Sequence, residues 1–385
     1  MRVNPFIFIT QPENLKSEAM TLISKFLLIL FLTFNFLPAQ VWQGLNFVSE
    51  IRDLPAKSSA SHEKRRQQIL RNMEKAMGRL PDRSNLPSFD IKIIDSVMED
   101  RFTRYTLSFV VAENERLPVY LYVPKQRGTI QRIPAMLVLH GTSVLGKGVV
   151  DGQGPLSNRA HARELAERGY VVIAPDYPSF GDLKDHNFDT DRYESATMQA
   201  IFNHMRCVDL LQSRPDVDPE NIGVIGHSLG GHNAMFVAAF DTRLKVAVSS
   251  SGWTQFEYYN IGEEGSKKYG GKLGPWAQTR YMPLIRTKYK LDAKLIPFNF
   301  DDIIAAIAPR AFFSVSPLKD ANFDANGVRR GISLAEKVYN NLGAADMLQV
   351  RYPDAGHDFP VENRKEVYGF LDRTLGHTPL YAPVK

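Results

Sequence analysis

The sequence is poor in cysteine and in long apolar segments. Only Cys207 among its 385 residues is a cysteine, which excludes an internal disulfide and a cysteine-ligated zinc or iron–sulfur site. The 26 glycines and 23 prolines are ordinary numbers, so collagen-like and low-complexity chains are excluded as well. The composition is that of a globular protein, and we expect neither a metal nor a cofactor.

An excess of charge of one sign is also missing. The 47 basic and 42 acidic residues leave a formal charge of +5, and the basic residues are spread along the chain. Nucleic-acid binders usually concentrate them on one face. We therefore expect no nucleic acid as a partner.

One strongly apolar stretch lies near the N-terminus. Residues 26–37 read FLLILFLTFNFL, follow Lys25 and end close to Ala39. This stretch is shorter than the roughly 20 residues that span a bilayer, but its basic, apolar and small-residue regions are typical of a signal peptide. We predict a signal peptide over residues 1–39, with Met20 as an alternative start, rather than a buried helix. The protein would then be exported, periplasmic or secreted, with no stable membrane insertion after cleavage.

Residues 40–88 are predicted to form an N-terminal helical arm. The segment His62–Leu80 is polar, but Ile69, Met73 and Met77 recur at helical spacing. Such a pattern predicts an amphipathic helix packed on the main body of the protein.

From residue 89 onward, β-rich segments come first, and apolar strand patterns then alternate with helical patterns. The predicted strands are 91–97, 102–111, 119–123, 135–139, 170–174, 222–225, 244–249, 311–315 and 347–352, and the predicted helices are 157–168, 194–213 and 229–240. Continuous apolar runs are typical of strands buried on both faces. The alternation predicts an α/β fold with a doubly wound, mostly parallel sheet.

One long interval, about residues 253–309, contains no clear strand. We predict that it is an insertion over the carboxyl edge of the sheet, where open α/β sheets bind ligands. Residues 89–385 would then form one domain. Cys207 falls among apolar residues of the predicted helix 194–213 and is expected in the core.

A candidate nucleophile lies between a predicted strand and a predicted helix. Residues 226–231 read GHSLGG, which matches the Gly-x-Ser-x-Gly turn that exposes a serine above a sheet. Ser228 is therefore the predicted nucleophile. The N–H of Leu229, at the start of the helix, is predicted to stabilise an oxyanion.

A serine hydroxyl needs a positioned base to become a good nucleophile. If the fold is of the α/β-hydrolase kind, the serine is followed by the acid and then by the histidine, and only His357 and His377 lie late enough in the chain. His377 falls in a proline-rich tail and is expected at the surface. His357, in a loop after the last predicted strand, is the predicted general base.

The acid is expected just after the strand that precedes the histidine loop. Asp320 lies in the first loop turn after residues 311–315, and Asp324 is the alternative. Asp354 and Asp358 flank the histidine closely, and we expect them to shape the loop.

The loop after the strand 135–139 is expected to supply a second oxyanion donor. A backbone N–H near Thr142 is the candidate, and His140 would hold the loop by hydrogen bonding. Residues 141–147 also match G-x-x-x-x-G-K, but Gly148 stands where a phosphate-binding loop needs serine or threonine. An NTPase is therefore not favoured.

The GHSLGG motif together with Asp320 and His357 resembles the α/β-hydrolase superfamily, in particular its dienelactone hydrolase-like and bacterial acetyl xylan esterase-like branch. The similar segments are LVLHGT, VVIAPDYPSFGD, IAPRAFFSVSPLKDANF and YPDAGHDFP. The resemblance covers roughly residues 133–371 and implies an α/β-hydrolase fold with the triad Ser228, Asp320 and His357. Dienelactone hydrolases use a cysteine nucleophile, so the serine at position 228 favours ordinary carboxylic esters.

The predicted insertion is rich in aromatic and basic residues. Most of its aromatic side chains could pack the insertion onto the sheet, with the lysines in solvent. The alternative is a substrate-binding wall in which aromatic rings face a sugar and an arginine binds an anionic group. The residues predicted to bind substrate in that way are Trp253, Trp276, Tyr281, Arg280 and Arg286.

Taken together, these patterns predict an exported serine hydrolase that cleaves carboxylic esters through an acyl-enzyme. Export and the resemblance favour a carbohydrate esterase, for acetyl or uronate esters, whose partner is a small-molecule or oligosaccharide ester. Two alternatives stay open: a serine peptidase of the prolyl-oligopeptidase kind and a non-catalytic binding protein on the same fold.

Overall fold

A nine-stranded sheet forms the centre of the protein in a computed structural model that describes residues 56–125 and 132–380. The predicted signal peptide lies outside the described residues. The strands are β1 (Lys92–Met98), β2 (Phe102–Ala112), β3 (Glu115–Pro124), β4 (Ile133–Leu139), β5 (Val171–Pro175), β6 (Val217–His227), β7 (Leu244–Ser250), β8 (Ala311–Val315) and β9 (Leu348–Arg351). Their order across the sheet is β1-β2-β3-β5-β4-β6-β7-β8-β9.

The sheet changes from antiparallel to parallel along its width. β1, β2, β3 and β5 pair antiparallel in that order, as the hairpin-like spacing of the first segments predicts. β5, β4, β6, β7, β8 and β9 then pair parallel. The carboxyl ends of these parallel strands therefore meet at one edge, and the loops that follow them share one side of the molecule.

Helices cover both faces of the sheet. They are α1 (Ala56–Met77), α2 (His161–Arg168), α3 (Ala196–Gln212), α4 (Leu229–Phe240), α5 (Gly262–Tyr269), α6 (Leu284–Thr287), α7 (Phe300–Ile307), α8 (Ala325–Asn341) and α9 (Val361–Thr374), and short 3₁₀ turns lie at Gly146–Asp151, Ser157–Arg159, Gly181–Leu183, Phe188–Thr190, Phe256–Tyr258 and Ala345–Met347. None of the helices in the described part of the chain is both long and apolar enough to cross a membrane.

Alternate side chains of the central strands enter two separate apolar cores. In β4, Leu137 belongs to the core shared with α1, α3, α4, α7 and α8, whereas Met136 and Val138 belong to the core shared with α2 and α9. All seven residues of β4 are buried, which explains its uninterrupted apolar sequence. The predicted α/β fold with a doubly wound, mostly parallel sheet is confirmed.

The helical arm is an integral part of one core. Ile69, Met73 and Met77 are buried among residues of α3, α4 and α7. The arm is also held through polar contacts, because Arg66 Nη2 donates to Ala239 O at 2.9 Å. In the structure, this apolar stripe of the arm faces the core of the main body.

The region predicted as an insertion is helical, and its last part is a regular crossover helix. α7 begins at a capping box in which the Asn299 and Asp302 side chains bind each other's backbone N–H groups. Its Ile303 and Ile304 are buried against α4 and α8. Only the segment before α7 departs from the strand–helix alternation. The end of the insertion, expected near residue 309, is therefore about one helix too late in the chain.

Cys207 and His377 are both buried in the structure. Cys207 in α3 is fully buried, as expected. His377 is 8% exposed, so the expected surface position is wrong. Its ring lies 4.1 Å from the Tyr170 ring and its Nε2 donates to Arg168 O, because the chain after α9 folds back onto α2.

Several histidines are buried in the helical layers. Burial lowers the pKa of His204 in α3 to about 3. Burial also lowers the pKa of His232 in α4 and of His161 in α2 to about 3. All three imidazoles are therefore neutral in the folded protein at neutral pH.

We predict that the free energy of unfolding falls as the pH is lowered from 7.5 to 5. In this range the unfolded chain binds protons on histidines that stay neutral in the folded chain, so acid favours unfolding. Each such histidine contributes about 2 kcal/mol of this loss at pH 5. Urea unfolding at the two pH values measures it for the wild type and for His204→Gln, which has no titratable group at this position. Equal losses in the two proteins would contradict the assignment of a neutral, buried His204.

Candidate functional site

The turn between β6 and α4 presents Ser228 at the carboxyl edge of the sheet. Ser228 has φ 57° and ψ −120°, a strained conformation for a residue with a side chain. A Cβ on Gly226 would lie 2.2 Å from the Gly230 carbonyl carbon, and a Cβ on Gly230 would lie 2.0 Å from Leu139 O. Glycine is required at both positions because the backbones of β4, β6 and α4 meet there.

Ser228, His357 and Asp320 form a continuous chain of hydrogen bonds. Ser228 Oγ donates to His357 Nε2 at 2.9 Å, and His357 Nδ1 donates to Asp320 Oδ2 at 2.9 Å. The Asp320 side chain is 0% exposed. Its other oxygen accepts the N–H groups of Asn322 and Phe323 at 2.9 and 3.2 Å. The carboxylate is thus fixed by its own loop and orients the imidazole.

The other acidic candidates have different partners. Asp324 caps α8 by accepting the Asn326 N–H at 2.7 Å, and Asp354 pairs with Lys319 on the surface. The structure therefore places Asp320, and not Asp324, against the His357 ring.

Two backbone N–H groups lie near Ser228. That of Leu229 is next to it in the sequence, and that of Thr142 is near it in space. Leu229 is the first residue of α4, where N–H groups have no partner within the helix. Thr142 lines the same cavity as Ser228. Within the described residues, no hydrogen bond from either N–H to a protein acceptor is found, so both are free to bind an oxyanion.

His140 fixes the orientation of the loop that carries Thr142. The Tyr177 N–H donates to His140 Nε2 at 3.0 Å, so the proton is on Nδ1, which donates to Gly141 O at 2.7 Å. In a trans peptide the next N–H, that of Thr142, points away from this carbonyl. Burial lowers the pKa of His140, which keeps this arrangement neutral. The expected loop-holding contacts of His140 are present.

A cavity of about 270 Å³ opens next to the serine. It is lined by Gly141, Thr142, Ser143, Val149, Gly154, Pro155, Leu156, Arg159, His161, His227, Ser228 and His357. Arg159, His161 and the apolar wall around Leu156 are not predicted from the sequence. Their position in the chain could have indicated them, because residues 140–160 follow β4 and therefore lie at the carboxyl edge of the sheet.

The two additional histidines of the cavity are neutral. Burial, reinforced by the charge of Arg159, lowers the pKa of His227 well below its usual range and lowers the pKa of His161 to about 3. The His227 ring lies 5.1 Å from the His357 ring. Because it is neutral, it does not oppose the positive charge that His357 would gain on taking the serine proton.

Arg159 fastens the loop that carries His357. Its Nη2 donates to His357 O at 3.1 Å and its Nη1 donates to Asp358 Oδ1 at 2.7 Å. Ser251 Oγ donates to Asp358 O at 3.0 Å. Asp358 is therefore a loop-shaping residue, as expected.

Two of the predicted substrate-binding aromatics lie in the core. Trp253 is 1% exposed, its Nε1 donates to Ser314 Oγ at 2.9 Å, and its ring stacks on Phe300. The prediction of a pocket wall at Trp253 is wrong, because its only polar atom is satisfied inside the protein. Trp276 is 5% exposed and lies behind Phe323, whose ring contacts His357.

The other residues predicted to bind substrate, Tyr281, Arg280 and Arg286, lie at two different places. The hydroxyl of Tyr281 lies 3.3 Å from Thr142 Oγ1, at the rim of the cavity beside Ser228. Arg280 and Arg286 line a different, wider groove of about 700 Å³. The structure thus brings Tyr281 to the rim of the cavity beside Ser228 and leaves the two arginines outside it.

A family model and a bacterial protein match this chain in sequence. A family model described as "Glucuronyl esterase, fungi" matches residues 187–343. The protein named "Putative hydrolase YtaP" of Bacillus subtilis is 28% identical over 322 residues, which cover 81% of this chain and 99% of that protein.

Solved structures resemble the chain over most of its length. A glucuronoyl esterase from Solibacter usitatus superposes with a TM-score of 0.59 at 16% identity and covers 81% of this chain and 92% of its own. An acetyl xylan esterase from Paenibacillus sp. R4 gives 0.53 at 17% identity, with 84% and 98% covered. The chain is an α/β-hydrolase-fold protein.

This α/β-hydrolase-fold protein shows no group of three or more histidine, cysteine, aspartate or glutamate residues arranged for a metal ion within residues 56–125 and 132–380. The reactive groups that the structure brings together beside the cavity are the Ser228 hydroxyl, the His357 imidazole and the N–H groups of Leu229 and Thr142. Such an arrangement fits attack on a carbonyl carbon.

We predict that Asp320→Asn slows the labelling of Ser228 by a fluorophosphonate about 10³–10⁴-fold, because an amide supports the wrong imidazole tautomer. The rate of covalent labelling, followed by mass spectrometry, measures this. Asp324→Asn is the matched control, because asparagine caps a helix about as well as aspartate, and it should leave the labelling rate within about threefold. A larger effect in Asp324→Asn than in Asp320→Asn would reverse the assignment.

Proposed function

We propose that this protein is an exported serine hydrolase that cleaves carboxylic esters of carbohydrates through an acyl-enzyme. The observation that carries the proposal is the hydrogen-bonded chain from Ser228 through His357 to Asp320 at the mouth of a cavity. The roles of the three residues are nucleophile, general base and orienting acid.

The first half of the reaction forms the acyl-enzyme. Ser228 Oγ attacks the ester carbonyl while His357 Nε2 takes its proton, and Asp320 stabilises the resulting imidazolium. The N–H groups of Leu229 and Thr142 bind the oxyanion that develops on the carbonyl oxygen. His357 then returns the proton to the departing alcohol oxygen.

The second half restores the enzyme. Water enters beside His357, which removes its proton as the oxygen attacks the acyl carbon. The oxyanion of this second step accepts hydrogen bonds from the same two N–H groups. Ser228 Oγ then leaves the acyl carbon and takes its proton back from His357. The leaving alcohol of the first step must have an open path, and the cavity next to Ser228 supplies one.

A carbohydrate ester is supported by the kinds of protein that this chain resembles. The matching family model describes glucuronyl esterases, and the similar structures include a glucuronoyl esterase and an acetyl xylan esterase. Export is supported by the signal peptide predicted from the sequence. We propose two classes for the acyl part of the ester: the carboxyl group of a uronate and a simple acetyl group.

We predict that Ser228→Ala lowers the turnover of p-nitrophenyl acetate by about three orders of magnitude or more, because the acyl-enzyme cannot form. Release of nitrophenol measures it. Ser213→Ala is the matched control: its hydroxyl bonds to Leu210 O at the end of α3, and the variant should keep its turnover. Substantial activity in Ser228→Ala would overturn the nucleophile assignment and with it the serine mechanism.

We also predict that esters of sugars are hydrolysed with a kcat/KM about tenfold or more above that of ethyl acetate, because sugar contacts add transition-state binding. The panel contains acetylated xylo-oligosaccharides, a methyl glucuronate glycoside, ethyl acetate and a dipeptidyl p-nitroanilide. Equal rates on sugar and alkyl acetates would contradict the carbohydrate class. A preference for the anilide would favour the peptidase, and binding without turnover of any member would favour a non-catalytic protein.

A further inference from the structure

A polar groove separate from the catalytic cavity lies between two surface segments. The segment His186–Asp189 forms one side, and the segment Ala277–Thr287 of the region between β7 and α7 forms the other. With a volume of about 700 Å³ the groove is more than twice as large as the cavity beside Ser228, at about 270 Å³.

Two arginines in this groove are held in place by neutral groups. The Arg280 guanidinium lies over the Phe180 ring, 5.3 Å from its centroid. Arg286 Nη2 donates to Tyr269 O at 2.7 Å. Neither arginine has a carboxylate oxygen within 4.0 Å in the described part of the chain. Both side chains are thus positioned without forming an ion pair.

The charge balance of the groove favours an anion. Asp189 is the acidic residue that lines it, against Arg280 and Arg286, and Asp189 forms no ion pair with either of them. The planar guanidinium matches the two oxygens of a carboxylate. A ligand that carries a carboxylate can therefore form charge-assisted hydrogen bonds that no protein group supplies.

Other groups in the groove suit the hydroxyls of a sugar. Asn187 and Thr279 are exposed there and supply amide and hydroxyl groups that donate and accept. The half-buried Phe188 contributes an apolar ring. Amide, hydroxyl and ring surfaces beside two arginines fit a hydroxyl-rich carboxylate better than a simple inorganic anion.

The groove and the catalytic cavity flank the same two residues. Arg280 faces the groove, and its carbonyl accepts the Tyr177 hydroxyl at 2.9 Å. The next side chain, Tyr281, reaches Thr142 at the rim of the catalytic cavity. A chain molecule that occupies the groove can therefore extend past Tyr281 toward Ser228.

We propose that this groove binds a uronate residue of an acidic oligosaccharide, through Arg280 and Arg286, while the ester of the same chain lies at Ser228. The proposal rests on the proposed carbohydrate esterase function and specifies its substrate: a glycan that carries a free carboxylate apart from the ester that is cleaved.

The test is direct binding without turnover. In Ser228→Ala protein at low ionic strength, calorimetry measures the affinity for trigalacturonate, for xylotriose as the neutral sugar and for sulfate as the simple anion. We expect trigalacturonate to bind at least about tenfold more tightly than xylotriose or sulfate, and added salt to weaken this binding. Arg280→Ala and Arg286→Ala, each in the same background, should weaken it about tenfold.

Lys272→Ala is the matched control, because it removes the same charge from the same region outside the groove. Its trigalacturonate affinity should stay unchanged. Equal binding of xylotriose or sulfate, or equal losses in Lys272→Ala and the arginine variants, would overturn the proposal. Arg280→Gln and Arg286→Gln serve if an alanine variant unfolds, as judged by circular dichroism. Because no ester is cleaved, failure here leaves the esterase proposal to the Ser228→Ala turnover experiment.

Discussion

The close approach of α4 to the ends of β4, β6 and β7 is the constraint on which the site depends. Gly230 touches the backbone at Leu139, and a Cβ on Gly231 would lie 2.8 Å from Gly252 Cα. Glycines allow three chain segments to meet where larger residues would hold them several ångströms apart. Since the strands end together, the loop after β4, the serine turn and the chain after β7 are brought to one point.

Electrostatics around this point depend on burial rather than on pairing of opposite charges. His140, His161 and His227 all surround the serine, and burial lowers the pKa of each. A positively charged neighbour would favour the neutral form of His357 and so weaken it in the proposed role of base. Arg159, the cation among the residues that line the cavity, is paired with Asp358.

The residues that chemistry constrains could be predicted from the sequence, whereas the shape around them could not. Ser228, Asp320 and His357 follow from a turn motif and a fixed chain order, and the structure places them within hydrogen-bonding distance. Arg159 and Leu156 reach the cavity through the folding of an irregular segment after β4, for which no local pattern exists. The prediction at Trp253 is wrong because an aromatic residue beside a strand end has the same local sequence whether it faces a cavity or the core.

The contacts of α1 bear on where this protein can be divided. His62 donates to Ala308 O at the end of α7, and the Tyr289 hydroxyl donates to Lys75 O. Ile69 and Met73 fill the core that lies beneath α4. A fragment cut at residue 89, where the sequence changes from helical to β-rich, would lose these hydrogen bonds and the part of the core that α1 fills. For recombinant expression or limited proteolysis, the smallest intact unit therefore includes α1.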